Sequence, residues 1–117
     1  PVTVFGDGRQ SRSFTHVADV VRALMALVKT PRAIGEVVNI GNTEEVSITG
    51  LAERVIALTG STSRITYIPY DEAYESGFED MPRRLPDLSK IHGMVGYEPR
   101  HTLDDILNDV IRHFRTR

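Results

Sequence analysis

The sequence predicts a single α/β layer in which a few short parallel strands are covered by three to four helices. Three observations carry this reading. Short β-rich runs alternate with amphipathic stripes in the order strand, helix, strand, helix, strand, the order of parallel strands joined by crossover helices. With 117 residues there is room for one compact core and not for two. Apolar residues make up 40% of the chain and charged residues 26%, so a core is feasible, and no apolar run approaches the roughly 20 residues that a spanning helix needs.

The elements follow in order. Val2 to Phe5 is β-rich and stops at Gly6, a short strand running into a loop. Val17, Val20, Val21, Leu24, Leu27 and Val28 recur at helical spacing, with Thr15 or His16 at the start and Pro31 at the end. Glu36 to Ile40 (E-V-V-N-I) predicts a second strand, broken at Gly41. A second helix carries Ile48, Leu51, Ala52, Val55 and Ile56, with Ser47 as its N-cap and Gly60 as its stop. Arg64 to Pro69 predicts a third strand, and Tyr70 to Pro86 a polar surface excursion. Asp87 is placed to cap a short helix through Leu88, Ile91, Met94 and Val95, closed by Gly96 and weakened by Gly93. The last helix has the clearest signal: Thr102 and Asp105 stand at capping-box spacing before Leu103, Ile106, Leu107, Val110, Ile111 and Phe114.

Three short strands offer less apolar surface than these helical stripes need. The expectation is a missing neighbour, with this layer completing a larger sheet and, when alone, associating with itself. Pro1 leads straight into the first strand without initiator methionine or signal-like segment, which suggests a piece of a longer protein. A net charge of -2 argues against nucleic-acid binding, so any anion site must be local. The absence of cysteine excludes disulfides and thiolate metal sites and fits a reducing compartment such as the cytoplasm; neither a metal nor a membrane is expected as a partner.

Candidate chemistry centres on V-F-G-D-G-R-Q-S-R-S-F, residues 4 to 14. The two glycines allow peptide N–H groups to approach an anion, but Asp-Gly is also a favoured turn pair, and a tight turn is the simpler reading. Arg12 sits between that loop and the first helix, where a guanidinium can hold a diphosphate through two parallel hydrogen bonds. A single loop arginine is ordinarily just solvated. A second one, Arg84, stands on the other long loop in R-L-P-D, and two such arginines at matching ends of an α/β layer would clamp one diphosphate. Asn39, at the end of its strand, is placed either to donate to a sugar or phosphate or to bond neighbouring loop backbone. His16, His92, His101 and His113 show no metal-ligand spacing and read as structural or surface groups, and the acidic run from Asp71 to Asp80 reads as a solvated face.

Taken together, G-D-G-R-Q-S-R-S-F-T-H-V-A-D-V-V, V-N-I-G-N, R-R-L-P-D-L-S-K-I and G-Y-E-P closely resemble the C-terminal part of the extended short-chain dehydrogenase/reductases that act on nucleotide sugars. These are the NAD-dependent epimerases, dehydratases and decarboxylases of UDP- and dTDP-sugars, such as UDP-glucose 4-epimerase and UDP-glucuronate decarboxylase. The resemblance implies a Rossmann-type enzyme of which residues 1–117 form the nucleotide-sugar-binding segment, with the NAD-binding half elsewhere. It implies that Arg12 and Arg84 hold the diphosphate, that Val4 and Phe5 lie along the base, and that Gln10 belongs to the substrate loop. Asn39 matches a position that reaches the substrate in some members. The family's G-x-x-G-x-x-G and Y-x-x-x-K motifs are absent, so no catalytic residue and no NAD site are expected here. The alternative is a stand-alone, non-catalytic binding or assembly module of the same fold.

Overall fold

The computed structural model describes residues 1–70 and 82–116. The chain forms β1 (Val2–Phe5), β2 (Ser11–Ser13), α1 (Val17–Val28), a 3-10 turn (Pro31–Ala33), β3 (Glu45–Ser47), α2 (Ile48–Thr59), β4 (Ile65–Ile68), α3 (Ser89–Val95) and α4 (Leu103–Arg115). The α/β class, the short parallel strands and the helices all match the expectation. β1 and β4 pair in parallel, Val2 opposite Ile65 and Phe5 opposite Ile68, with α2 as the intervening helix. β2 and β3 form a separate antiparallel pair that the sequence reading did not anticipate. Two three-residue strands are too short to show the period on which such a reading depends.

The predicted strand from Glu36 to Ile40 does not form. Its burial alternates, Val38 and Ile40 packing against the core while Val37 is 85% exposed, yet no strand lies beside it among the described residues. Side chains take up its carbonyls instead. The Lys90 ammonium donates to the Val37 carbonyl at 2.8 Å and to the Glu36 carboxylate at 2.9 Å, and the Tyr97 hydroxyl donates to the Gly41 carbonyl at 2.6 Å. An apolar alternating run sets which residues point inward; the ladder needs a partner edge as well. The acidic stretch from Asp71 to Asp80 lies outside the described residues.

Helix boundaries follow the caps. His16 Nδ1 accepts from the Ala18 amide to start α1, and the Ser47 hydroxyl accepts from the Gly50 amide to start α2, which ends at Gly60. At α4 the Thr102 hydroxyl accepts from the Asp105 amide while the Asp105 carboxylate accepts from the Thr102 amide, the full capping box. Asp87 serves α3 from one residue further out than expected: its carboxylate accepts from the Ser89 amide and hydroxyl, and Leu88 holds the cap position.

The core gathers Ala23 of α1, Ile91 of α3 and Tyr97, with Leu27, Val38, Ile40, Leu88 and Val95 around them. Ile91 is fully buried, and a side chain of that size contributes about 1.5–3 kcal/mol through burial alone. Val4 of β1 and Ala52 of α2 are buried on the other side, where α2 packs against β1 and α4. The opposite face of α1 is apolar and bare: Val17, Val21, Leu24 and Val28, spaced at i, i+4, i+7 and i+11, are between 49% and 83% exposed. Among the described residues no helix is long and apolar enough to cross a membrane.

Gly93 lies inside α3 with open space where a Cβ would stand and without a positive φ. Gly93→Ala therefore stabilises the chain by about 0.5–1 kcal/mol, by removing freedom from the unfolded state at no steric cost. Thermal or denaturant unfolding of the two proteins checks this as a raised midpoint.

Candidate functional site

The loop after β1 is a closed turn. Gly6 and Gly8 both have positive φ, the Asp7 carboxylate accepts from the Arg9 amide at 2.9 Å, and the Gly8 and Gln10 carbonyls accept from the Thr49 and Ile48 amides. The chain's own side chains fill the space over the glycines. A Cβ at Gly6 would stand 2.6 Å from the Tyr70 ring, and one at Gly8 would stand 2.0 Å from the Thr49 hydroxyl oxygen. The glycines are thus required for close packing onto β4 and α2 rather than for an open anion cradle. With no glycine fingerprint elsewhere in the chain, these residues do not fit the pyrophosphate of NAD.

Beyond the turn, β2 has company on both edges. On one side it pairs with β3, Ser11 opposite Ser47, Arg12 opposite Val46 and Ser13 opposite Glu45. On the other, Ser11 makes a parallel bridge with Arg83, and the Ser11 amide donates to the Pro82 carbonyl at 2.8 Å. Side chains alternate along extended backbone. Ser11, Ser13, Glu45 and Arg83 therefore share one face of this small sheet, and Arg12 and Arg84 share the other.

Beside Arg12 and Arg84 lies an open cavity of about 480 Å³, lined among the described residues by Arg12, Ser13, Phe14, Asn39, Arg84, Leu85 and Pro86. Three of the six residues singled out in the sequence meet there, although they come from β2, the segment before Gly41 and the loop before α3. One Arg12 Nη donates to the Ser11 carbonyl at 2.7 Å, which braces the guanidinium against its own strand. Asn39 arrives without the strand expected for it. Gln10, Val4 and Phe5 do not line the cavity. The Gln10 side-chain Nε2 donates back to the Phe5 carbonyl at 3.2 Å, Val4 is buried against the core, and Phe5, on the other side of β1, is 39% exposed.

One buried carboxylate, not singled out from the sequence, ties the elements behind this cavity together. Asp19 of α1 is fully buried, and its oxygens accept from Arg22 at 2.6 Å, from the His101 ring at 3.0 Å, and from the Arg100 and His101 amides at 3.1 Å each. Burial pushes this carboxyl up, but the hydrogen bonds from Arg22, His101 and the two amides outweigh it and bring the pKa down from 3.8 to about 2. His101 stacks on His16 with ring centroids 4.1 Å apart, and the Nε2 of His16 lies 2.6 Å from the Asp109 carboxylate of α4. The two rings thus link α1, the turn before α4 and α4 itself; among the described residues no cluster could hold a metal ion. A lone acid in the otherwise apolar run V-A-D-V-V, three residues ahead of an arginine, was the available signal.

A family model described as GDP-mannose 4,6 dehydratase matches residues 1–110. The chain belongs to this family.

Family relatives include the UDP-N-acetyl-alpha-D-glucosaminuronate decarboxylase of Bacillus cytotoxicus, 38% identical over 112 residues, which are 96% of this chain and 35% of the relative. UDP-glucuronic acid decarboxylase 1 of Danio rerio is 35% identical over 113 residues, 97% of this chain and 25% of the relative. Among solved structures, an epimerase of Methanothermobacter thermautotrophicus superposes with a TM-score of 0.87 at 29% identity, over 99% of this chain and 33% of that one. The UDP-glucuronic acid 4-epimerase of Bacillus cereus, in complex with UDP-glucuronic acid and NAD, gives 0.81 at 30% identity, over 97% and 36%. The resemblance to the extended short-chain dehydrogenase/reductases therefore holds, and the chain spans only a quarter to a third of the curated family members named here.

Asp19 generates a pH prediction. Its folded pKa is depressed, so its contribution is present above pH 3.8 and is lost as pH falls through about 2. Three of the four groups that meet it can only donate, so the amide nitrogen of Asp19→Asn finds an acceptor only if the His101 ring changes tautomer. This substitution costs about 2–4 kcal/mol at neutral pH and flattens the stability profile between pH 4 and 2. Chemical denaturation across that range checks both effects.

Proposed function

We propose that this chain is the nucleotide-sugar-binding portion of an NAD-dependent epimerase, dehydratase or decarboxylase, and that Arg12 and Arg84 hold the diphosphate of the substrate between them. The observation that carries the reading is their shared cavity. Arg12 of β2 and Arg84 of the loop before α3 line one open space of about 480 Å³, and planar guanidinium donors match phosphate oxygens in pairs. Asn39 adds an amide at the same wall for a sugar or phosphate oxygen, while Phe14, Leu85 and Pro86 supply apolar surface. A mixed wall of this kind suits a ligand with a charged centre and less polar ends.

A UDP-sugar is the substrate class we favour, because both decarboxylases named above and the Bacillus cereus epimerase carry a UDP-sugar in their names. Gln10 belongs to the turn that fixes Arg12, and Phe5 is the exposed side chain beside it that would meet the base. Val4 would then contribute backbone only. NAD, and the residues that exchange protons and hydride with the sugar, belong to the remainder of the protein, as does the surface that covers α1. We place the protein in the cytoplasm, in keeping with its lack of cysteine.

In the full-length protein, Arg12→Ala and Arg84→Ala each weaken UDP binding about tenfold to a hundredfold, the loss expected of charge-assisted hydrogen bonds. Titration calorimetry checks this; unchanged affinity in either variant contradicts the clamp. The 117-residue chain alone, with its bare α1 stripe, self-associates. A single monodisperse monomer in sedimentation velocity contradicts that expectation.

A further inference from the structure

We propose that Glu45 is a positioning residue for the diphosphate site, fixing Arg83 and through it the side from which Arg84 faces the cavity. The proposal rests on the clamp reading given above. Arg83 and Arg84 are neighbours in extended backbone, so whatever holds one side chain on a face of the small sheet commits the other to the opposite face. The hold on Arg83 is specific. Its Nε and one Nη donate to the two carboxylate oxygens of Glu45 at 2.5 and 3.0 Å, a two-point contact that fixes orientation as well as distance.

The contact crosses β2. Glu45 lies on β3, Arg83 on the far edge of β2, and the Ser11 hydroxyl between them donates to the same Glu45 oxygen at 3.3 Å. Below the side chains, the Ser11 amide bonds the Pro82 carbonyl. The loop that carries Arg84 is therefore fastened to β2 through backbone at Pro82 and side chain at Arg83, immediately before the residue that faces the cavity. The hydrogen bonds from Arg83 hold the Glu45 carboxyl below its ordinary range, so the pair stays ionised through mildly acid conditions. As an exposed ion pair it adds little to stability. Its effect is on direction: among the described residues it adds a two-point side-chain hold on Arg83 to the backbone bridge at Ser11, and so reinforces the register that sends Arg84 toward Arg12.

The test is a double-mutant cycle in the full-length protein, with UDP as the probe in titration calorimetry and thermal unfolding as the control. Glu45→Gln keeps the shape and removes the charge. It should lower UDP affinity about threefold to fivefold, within what one exposed ion pair contributes, and leave the melting temperature nearly unchanged. In the Arg84→Ala background the same substitution should have no further effect on affinity, because nothing remains to be positioned. Exchanging the pair, Glu45→Arg with Arg83→Glu, should restore most of the loss. If Arg84→Ala weakens UDP binding while Glu45→Gln does not, or if the two losses simply add, positioning by Glu45 is wrong and the clamp stands. If Arg84→Ala has no effect, the clamp itself fails and this proposal falls with it.

Discussion

The candidate site depends on a register. Ser11 of β2 bridges Arg83 in parallel, and that alignment puts Arg12 and Arg84, each one residue further on, on the same face of a sheet only three residues long. A shift of one residue would send Arg84 to the face where Glu45 and Ser11 lie and leave Arg12 alone at the cavity. Two like charges brought to one wall repel each other, so the arrangement needs fastening from elsewhere. Here the fastening is the β2 backbone, the Arg83 to Glu45 contact and the turn locked by Thr49, Tyr70 and Asp7.

Behind that sheet, the fold solves a second electrostatic problem. Asp19 is a carboxylate in the core side of an apolar helix, a placement that is strongly unfavourable unless every oxygen lone pair in reach is met. Arg22, His101 and two backbone amides meet it, and the price of burying the charge becomes a joint between α1 and the turn that leads into α4. Arg22 also passes over the Tyr97 ring at 5.6 Å, and the Tyr97 hydroxyl holds the Gly41 carbonyl. Asn39, two residues before Gly41, is thereby carried to the cavity wall by a chain of contacts that begins at Asp19.

Much of this was legible in the sequence, and what was not has physical causes. Helices were readable because capping residues and 3.6-residue stripes are local: Ser47, Thr102, Asp105 and Gly60 act where they stand. Arg12, Arg84 and Asn39 were readable as site candidates because they stand in the motifs that carry the family resemblance, G-D-G-R-Q-S-R, R-R-L-P-D and V-N-I-G-N. The strand at Glu36 to Ile40 was misread because alternation records burial, and pairing depends on a neighbour that the run itself does not contain. β2 and β3 escaped notice because three residues carry no period. Glu45 and Ser11 were missed because the partners that give them a role lie 34 or more positions away, and Asp19, although marked by its apolar surroundings and by Arg22, also has partners 81 and 82 positions on. The bare stripe of α1 belongs to a chain that spans a quarter to a third of the curated family members named above.

The central claim is that one diphosphate lies between two guanidinium groups. A crystal structure of the full-length protein with a bound UDP-sugar tests it most directly. The account predicts phosphoryl oxygens within about 2.7–2.9 Å of guanidinium nitrogens of both Arg12 and Arg84, in the cavity walled by Phe14, Asn39 and Pro86. A diphosphate bound elsewhere, or held by Arg12 with Arg84 turned to the Glu45 face, would contradict it.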